Sequence, residues 1–135
     1  MEIEKLTFDG EGMSRVYDNK DWIVGIKNWK PANDITGIDC LERHNESDEL
    51  FVLLSGRCIL AYANEVGGKL QFGAVNMEPM KVYNIPKTLW HNTITEKDTK
   101  LILVEYSSTS MENSDILQLD DNQIDEVTSH AKAFL

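Results

Sequence analysis

The feature that most constrains this chain is its rhythm of short β-forming runs, each closed by Gly, Pro, Asn or Asp. The run "DWIVGIKNWK" is rich in β-formers and ends at Pro31, which removes a ladder donor. "ITGIDCLER" alternates Ile38, Cys40 and Glu42 with Asp39, Leu41 and Arg43. "ELFVLLSGRCILAYAN" reads as two strands about a Ser55-Gly56 turn, a hairpin signal because glycine supplies the positive φ that tight turns need. "EVGGKLQFGAV" turns again at Gly67-Gly68, "MKVYNIP" closes at Pro86, and "LWHNTIT" and "KLILVEYSS" complete the set. Such a series predicts an antiparallel sandwich or barrel.

No helical period is convincing before residue 115. Beyond it Ile124, Val127, Ala131 and Phe134 recur at helical spacing. Asp120 or Asp121 can cap this helix, and His130 and Lys132 near its end suit the helix dipole. The helix is expected to cover an open edge or end of the barrel, or to pack on a second subunit. The 135 residues are expected to form a single domain, with a barrel core at about 20–107 and a helical extension at about 115–135.

Charge narrows the partners. Twenty-three acidic residues against 13 basic ones give a net charge of −10, which works against phosphate backbones and anionic membrane surfaces. The basic residues are scattered along the chain. No apolar run approaches the roughly 20 residues needed to span a bilayer, and "MEIEKLTFDG" does not resemble a secretory signal. Cys40 and Cys58 form neither a zinc pattern nor a disulfide framework, so a reducing cytoplasmic setting is expected.

Chemistry concentrates in "ERHNESDELFVLLSGRC", where Glu42, His44 and Glu49 directly precede an apolar strand. On a strand, residues two apart share a face, so Glu42 and His44 can point into one barrel. Glu49 opens the next strand, with six residues between it and Gly56, and "PKTLWH" places His91 after Pro86. This spacing resembles the two signatures of the cupin superfamily. Glu42 and His44 fall on the His-x-His pair, Glu49 and Gly56 on the following Glu and Gly, and Pro86 and His91 on the second signature's Pro and His. The pattern departs at Glu42, which replaces the first histidine, at Thr36 and Thr88, which stand where the family has glycine, and at Thr95, where it often has asparagine.

The resemblance covers roughly residues 20–107 and implies an antiparallel double-stranded β-helix, the jelly-roll barrel, followed here by the short C-terminal helix. It also implies a metal set of Glu42, His44, Glu49 and His91 around a divalent iron, manganese, zinc or nickel ion. Two imidazoles and two carboxylates suit such an ion and leave positions for water and substrate. Glu42 is either a ligand, a base, or a rim carboxylate paired with Arg43 or Arg57.

Each residue also has a plain reading. His91 beside Trp90 could be a hydrogen-bonded core histidine, and His44 a solvated loop residue. Glu49 resists one, since a carboxylate heading "LFVLL" is costly to bury without a partner. Glu46 and Asp48 are surface charges or hydrogen-bond partners of a ligating imidazole. Phe51 and Leu53 share parity with Glu49 and should form the apolar wall beside it. Tyr106 shares parity with Val104 and Ile102, and Glu105 with Leu103 and Leu101; one of these faces lies inside. Trp22, Trp29, Tyr62, Tyr83, Trp90 and Tyr106 are expected mostly in the core, and Cys58 as a small core residue.

Three functions follow as expectations. The first is a metal-dependent enzyme on a small polar metabolite, of isomerase, lyase or dioxygenase type, with Glu42, Glu49 and His91 as catalytic groups. The second is a metal-free acid–base enzyme of sugar-isomerase type, and the third a non-catalytic small-molecule-binding module. A homodimer joined through the strand "DWIVGIKNWK", as an exposed sheet edge, is also expected.

Overall fold

Residues Met1–Leu135 are described by a computed structural model, in which the β-forming runs build ten strands. These are β1 (Met13–Asp18), β2 (Trp22–Asn28), β3 (Cys40–His44), β4 (Glu49–Ser55), β5 (Cys58–Val66), β6 (Lys69–Asn76), β7 (Val82–Ile85), β8 (Trp90–Thr95), β9 (Lys100–Tyr106) and β10 (Ser114–Gln118). A 3-10 turn, Pro31–Asn33, precedes β3, and helix α1 spans Asp121–Lys132. Two five-stranded antiparallel sheets result, ordered β1-β2-β9-β4-β7 and β10-β3-β8-β5-β6.

Period-2 alternation turns one set of side chains from each sheet inward. Ile23, Phe51, Leu53, Leu101 and Leu103 meet Cys58 and Leu60 between the sheets. Cys58 is an inert member of that core, its thiol pushed up to about 12 by burial. A second core lies on the outer face of the second sheet, where Leu41, Ile59, Ala61, Ala63 and Ile94 receive Val127 and Ala131 of α1. Strand β5 is therefore buried on both faces, which explains why "CILA" reads as a continuous apolar run.

Several expectations change. Strands β4 and β5 do not pair as a hairpin: β4 pairs with β7 and β9, and β5 with β6 and β8. Gly56 (φ +71°) instead carries the chain from one sheet to the other, pressed so close to the β8–β9 turn that a Cβ would lie 2.6 Å from Thr99 Cα. The Gly67-Gly68 turn does close a hairpin, joining β5 to β6 with both glycines at positive φ.

Strand β2 is not an edge, because β1, formed by "MSRVYD", pairs outside it. Residues 114–118 are a strand rather than the start of the helix. Asp120 caps α1 by accepting from the Gln123 amide, and the Gln123 side chain accepts from the Asp120 amide. The helix covers a sheet face, not an edge or end. None of the six aromatic side chains expected in the core is fully buried, and Trp22 and Tyr106 are exposed on the outer face of the first sheet.

Candidate functional site

The register delivers the chemistry. Glu42 on β3 lies directly opposite His91 on β8, and His44 follows two residues on along the same face. Glu49 heads β4 in the facing sheet. These four residues, named from spacing, converge in the space between the sheets. Glu49 and His91 are almost fully buried, at 5% and 2% exposure, while Glu42 and His44 are half-buried. Phe51 and Leu53 form the apolar wall below Glu49, as parity requires.

Glu49 Oε1 lies 3.1 Å from His91 Nε2 and 3.5 Å from His44 Nε2. Glu42 Oε1 lies 3.9 Å from His44 Nε2. Both imidazoles are fixed from behind: His91 Nδ1 donates to the Leu89 carbonyl at 2.9 Å, and His44 Nδ1 is hydrogen-bonded to Ser114 Oγ at 2.8 Å. Because the Nδ1 proton of His91 is committed to Leu89, a neutral ring would aim its Nε2 lone pair at the Glu49 carboxylate. Two lone pairs at that distance repel. A shared proton or a metal ion between the two atoms removes that repulsion.

Three further residues were not assigned from sequence. Glu105 on β9 is 6% exposed, and its Oε2 lies 4.0 Å from His44 Nε2. It resolves the parity question, since the Leu101–Leu103–Glu105 face is the inner one. Arg15 on β1 places Nη2 3.6 Å from Glu105 Oε1 and donates to the Ser107 and Thr109 carbonyls. Ser114 on β10 supports His44. Only Glu105 left a legible signal, a carboxylate inside "LILVEY".

The expected partners for Glu42 and the imidazoles are otherwise engaged. Arg43 pairs with Asp115 at 2.8 Å and Arg57 with Glu96 at 3.8 Å, so neither binds Glu42. Glu46 accepts from Asn113, and Asp48 from the Lys87 amide, so neither supports a histidine.

Electrostatics separates the carboxyls. Burial opposes ionisation of Glu49, but hydrogen bonds and charge from His44 and His91 prevail and hold it well below the usual carboxylate range. Glu105 is pushed up to about 8 by burial and then by the adjacent Glu49 charge. For His44, burial favours the neutral ring, yet Glu49, Glu42 and Glu105 together raise its pKa. Near neutral pH the centre therefore combines an ionised Glu49 with a protonated Glu105.

The donor set fits a divalent cation. Glu42, His44 and His91, and likewise His44, Glu49 and Glu105, offer ligand atoms within 4.8 Å of one another, and the buried Glu105 Oε2 has no hydrogen-bond partner. Glu42, His44, Glu49 and Glu105 line a cavity of about 270 Å³ between the sheets. A larger groove of about 710 Å³ is lined by Trp22, Leu50, Val104, Glu105 and Tyr106 among others, and by neither imidazole.

No protein-family model matches the sequence. No curated protein matches it either. Solved structures do. A Tyr-to-Phe variant of Streptomyces Pac13 with uridine superposes at TM-score 0.62 with 12% identity, covering 93% of this chain and 98% of the other. Pac13, described as a nucleoside dehydratase, gives TM-score 0.60 at 11% identity, over 90% of this chain and 98% of that one. A cupin-2 domain protein of Shewanella frigidimarina matches at TM-score 0.50 and 15% identity, over 72% of this chain and 82% of its own. Identities this low speak for architecture alone, and what they say of it agrees with the strand order and motif spacing: the chain is folded as a cupin.

Proposed function

We propose that this protein is a metal-binding enzyme that moves a proton on a small polar metabolite held between the sheets, in isomerase or lyase chemistry. The observation that carries the reading is the approach of His91 Nε2 to Glu49 Oε1 with Nδ1 already committed, which calls for a cation between them. His44, Glu49 and His91 would hold the ion, with Glu42 in place of the missing histidine. Once bound, it would polarise a substrate carbonyl or hydroxyl.

The remaining work belongs to the chain. The Leu89 carbonyl and Ser114 Oγ orient the rings so that both Nε2 atoms face Glu49. Glu105, whose pKa burial and the Glu49 charge raise to about 8 while no metal is bound, is placed beside His44 to act as a general acid toward a substrate oxygen in the metal-free centre. Where Glu42 stays off the ion, it is placed beside His44 to take up a proton instead. Phe51 and Leu53 exclude water from below. A nucleoside dehydratase with the same fold is in keeping with elimination chemistry, although it selects no substrate for this chain.

The same 3.1 Å approach favours a second reading, in which a proton shared by His91 and Glu49 replaces the metal and the two form a metal-free acid–base pair. Elemental analysis of untagged protein, before and after chelation, separates the two. Near-stoichiometric metal, absent from a His44→Ala, His91→Ala double variant, supports the first. No metal after reconstitution with iron, manganese, zinc and nickel leaves the second.

The proposal includes a homodimer in the reducing cytoplasm, where Cys40 and Cys58 stay free. No helix is long and apolar enough to cross a membrane. With β2 internal, the dimer surface becomes the outer face of the first sheet, where Trp22 pairs with Tyr106 and Val24 with Val104 across β2 and β9.

A further inference from the structure

The basic residues scattered in sequence gather in space. Arg15 on β1, Lys27 on β2 and Lys30 just beyond it line the same 270 Å³ cavity as the His/Glu centre. Strand order separates the charges: β1 and β2 form one margin of the first sheet, whereas Glu105 and Glu49 stand on β9 and β4 farther in. Arg15 lies opposite Gly25, two residues before Lys27, so the two cations are diagonal neighbours on one face.

Arg15 commits donors to the Ser107 and Thr109 carbonyls and faces Glu105. Lys27 and Lys30 donate no side-chain hydrogen bond and form no ion pair. Beside them the Thr109 hydroxyl is buried, lines the cavity and has no hydrogen-bond partner. Two unpaired ammonium groups and an orphaned hydroxyl above a catalytic-type centre, in a chain of net charge −10, make an anion-recognition wall.

Resting on the functional reading above, we infer that the substrate is a small organic anion whose carboxylate or phosphate is held by Lys27, Lys30 and Thr109, with Arg15 fixing the wall and the reacting carbon directed to His44 and Glu49. The cavity is at the small end of ligand sites, which suits a metabolite rather than a polymer. Both functions share the recognition of a compact oxyanion, so the experiment compares them directly.

The protein, uniformly labelled with ¹⁵N, is titrated with succinate, glycerol 3-phosphate and inorganic phosphate, with glycerol as the neutral control. Saturable amide shifts confined to residues 25–30 and 107–111 are expected with at least one anion and not with glycerol. Lys27→Gln and Thr109→Val should each weaken the response about tenfold, while Lys69→Gln, at the start of β6 and outside the cavity lining, should not. Response to succinate alone or to a phosphate alone identifies the group recognised. No shift with any anion, or equal shifts in Lys27→Gln, overturns the inference. Metal content of the same samples reports separately on the His44–Glu49–His91 centre, so an anion response without metal supports the inference and counts only against the metal reading.

Discussion

At the scale of single residues, the centre is a contest between burial and neighbouring charge. Glu105 shows it most directly, with a folded pKa of about 8 against an ordinary 4.5. Between those values the native state keeps a proton that the unfolded chain releases, so this residue lowers stability as pH rises through that window. In chelated protein, Glu105→Gln should therefore stabilise the fold more at pH 8 than at pH 5, by on the order of 1–3 kcal/mol. Urea denaturation at the two pH values measures it, and an equal effect at both would show that Glu105 does not hold its proton. His44, Glu49 and His91 were legible because their spacing is a property of the chain. Arg15 and Ser114 were not, since strands distant in sequence bring them together and nothing local marks either one.

At the scale of elements, the turns decide where the ligands sit. The β7–β8 connection places Thr88 at φ +72°, and its amide donates to the His44 carbonyl at 2.7 Å. This is the position at which the family pattern has glycine, and the left-handed backbone explains that preference. Thr88→Gly should relieve strain and stabilise the protein by about 0.5–1 kcal/mol net of the added freedom of the unfolded chain. A loss of stability would mean that Thr88's side chain contributes more than its backbone strain removes. Gly37, one residue late for the first signature, is required for another reason: a Cβ there would lie 2.1 Å from the Pro31 carbonyl oxygen. At the other end of the chain, Asp120→Ala should lower stability by about 1 kcal/mol through loss of the α1 cap. Thermal unfolding checks this, and an unchanged midpoint would make the cap superfluous. The helix was readable from its period, whereas β10 was hidden because its five residues pair only with β3, distant in sequence.

At the scale of the whole molecule, the two sheets are treated differently. Helix α1 covers the outer face of the second, while the first leaves Trp22 and Tyr106 exposed. If that face joins two copies, sedimentation equilibrium at micromolar concentration should give twice the 15.4 kDa chain mass, and Val104→Glu should return the monomer. A monomer in the parent protein contradicts the dimer. Strand content and barrel class were legible because alternation and turn chemistry are local. The partition of strands between sheets was not: the Ser55-Gly56 turn has a hairpin's sequence, yet β4 pairs with β7 and β9 while β5 pairs with β6 and β8, all set by segments distant in sequence.

Metal binding by His44, Glu49 and His91, with Glu42, between the sheets is what the approach of Glu49 to both imidazoles supports. Its most direct test compares the metal content of His91→Ala and Glu46→Ala after identical reconstitution, with circular dichroism showing that both variants remain folded. Loss of most of the metal in His91→Ala and none in Glu46→Ala is the expected result, because His91 faces Glu49 whereas Glu46 is bonded to Asn113. Equal loss in both, or none in either, would contradict it.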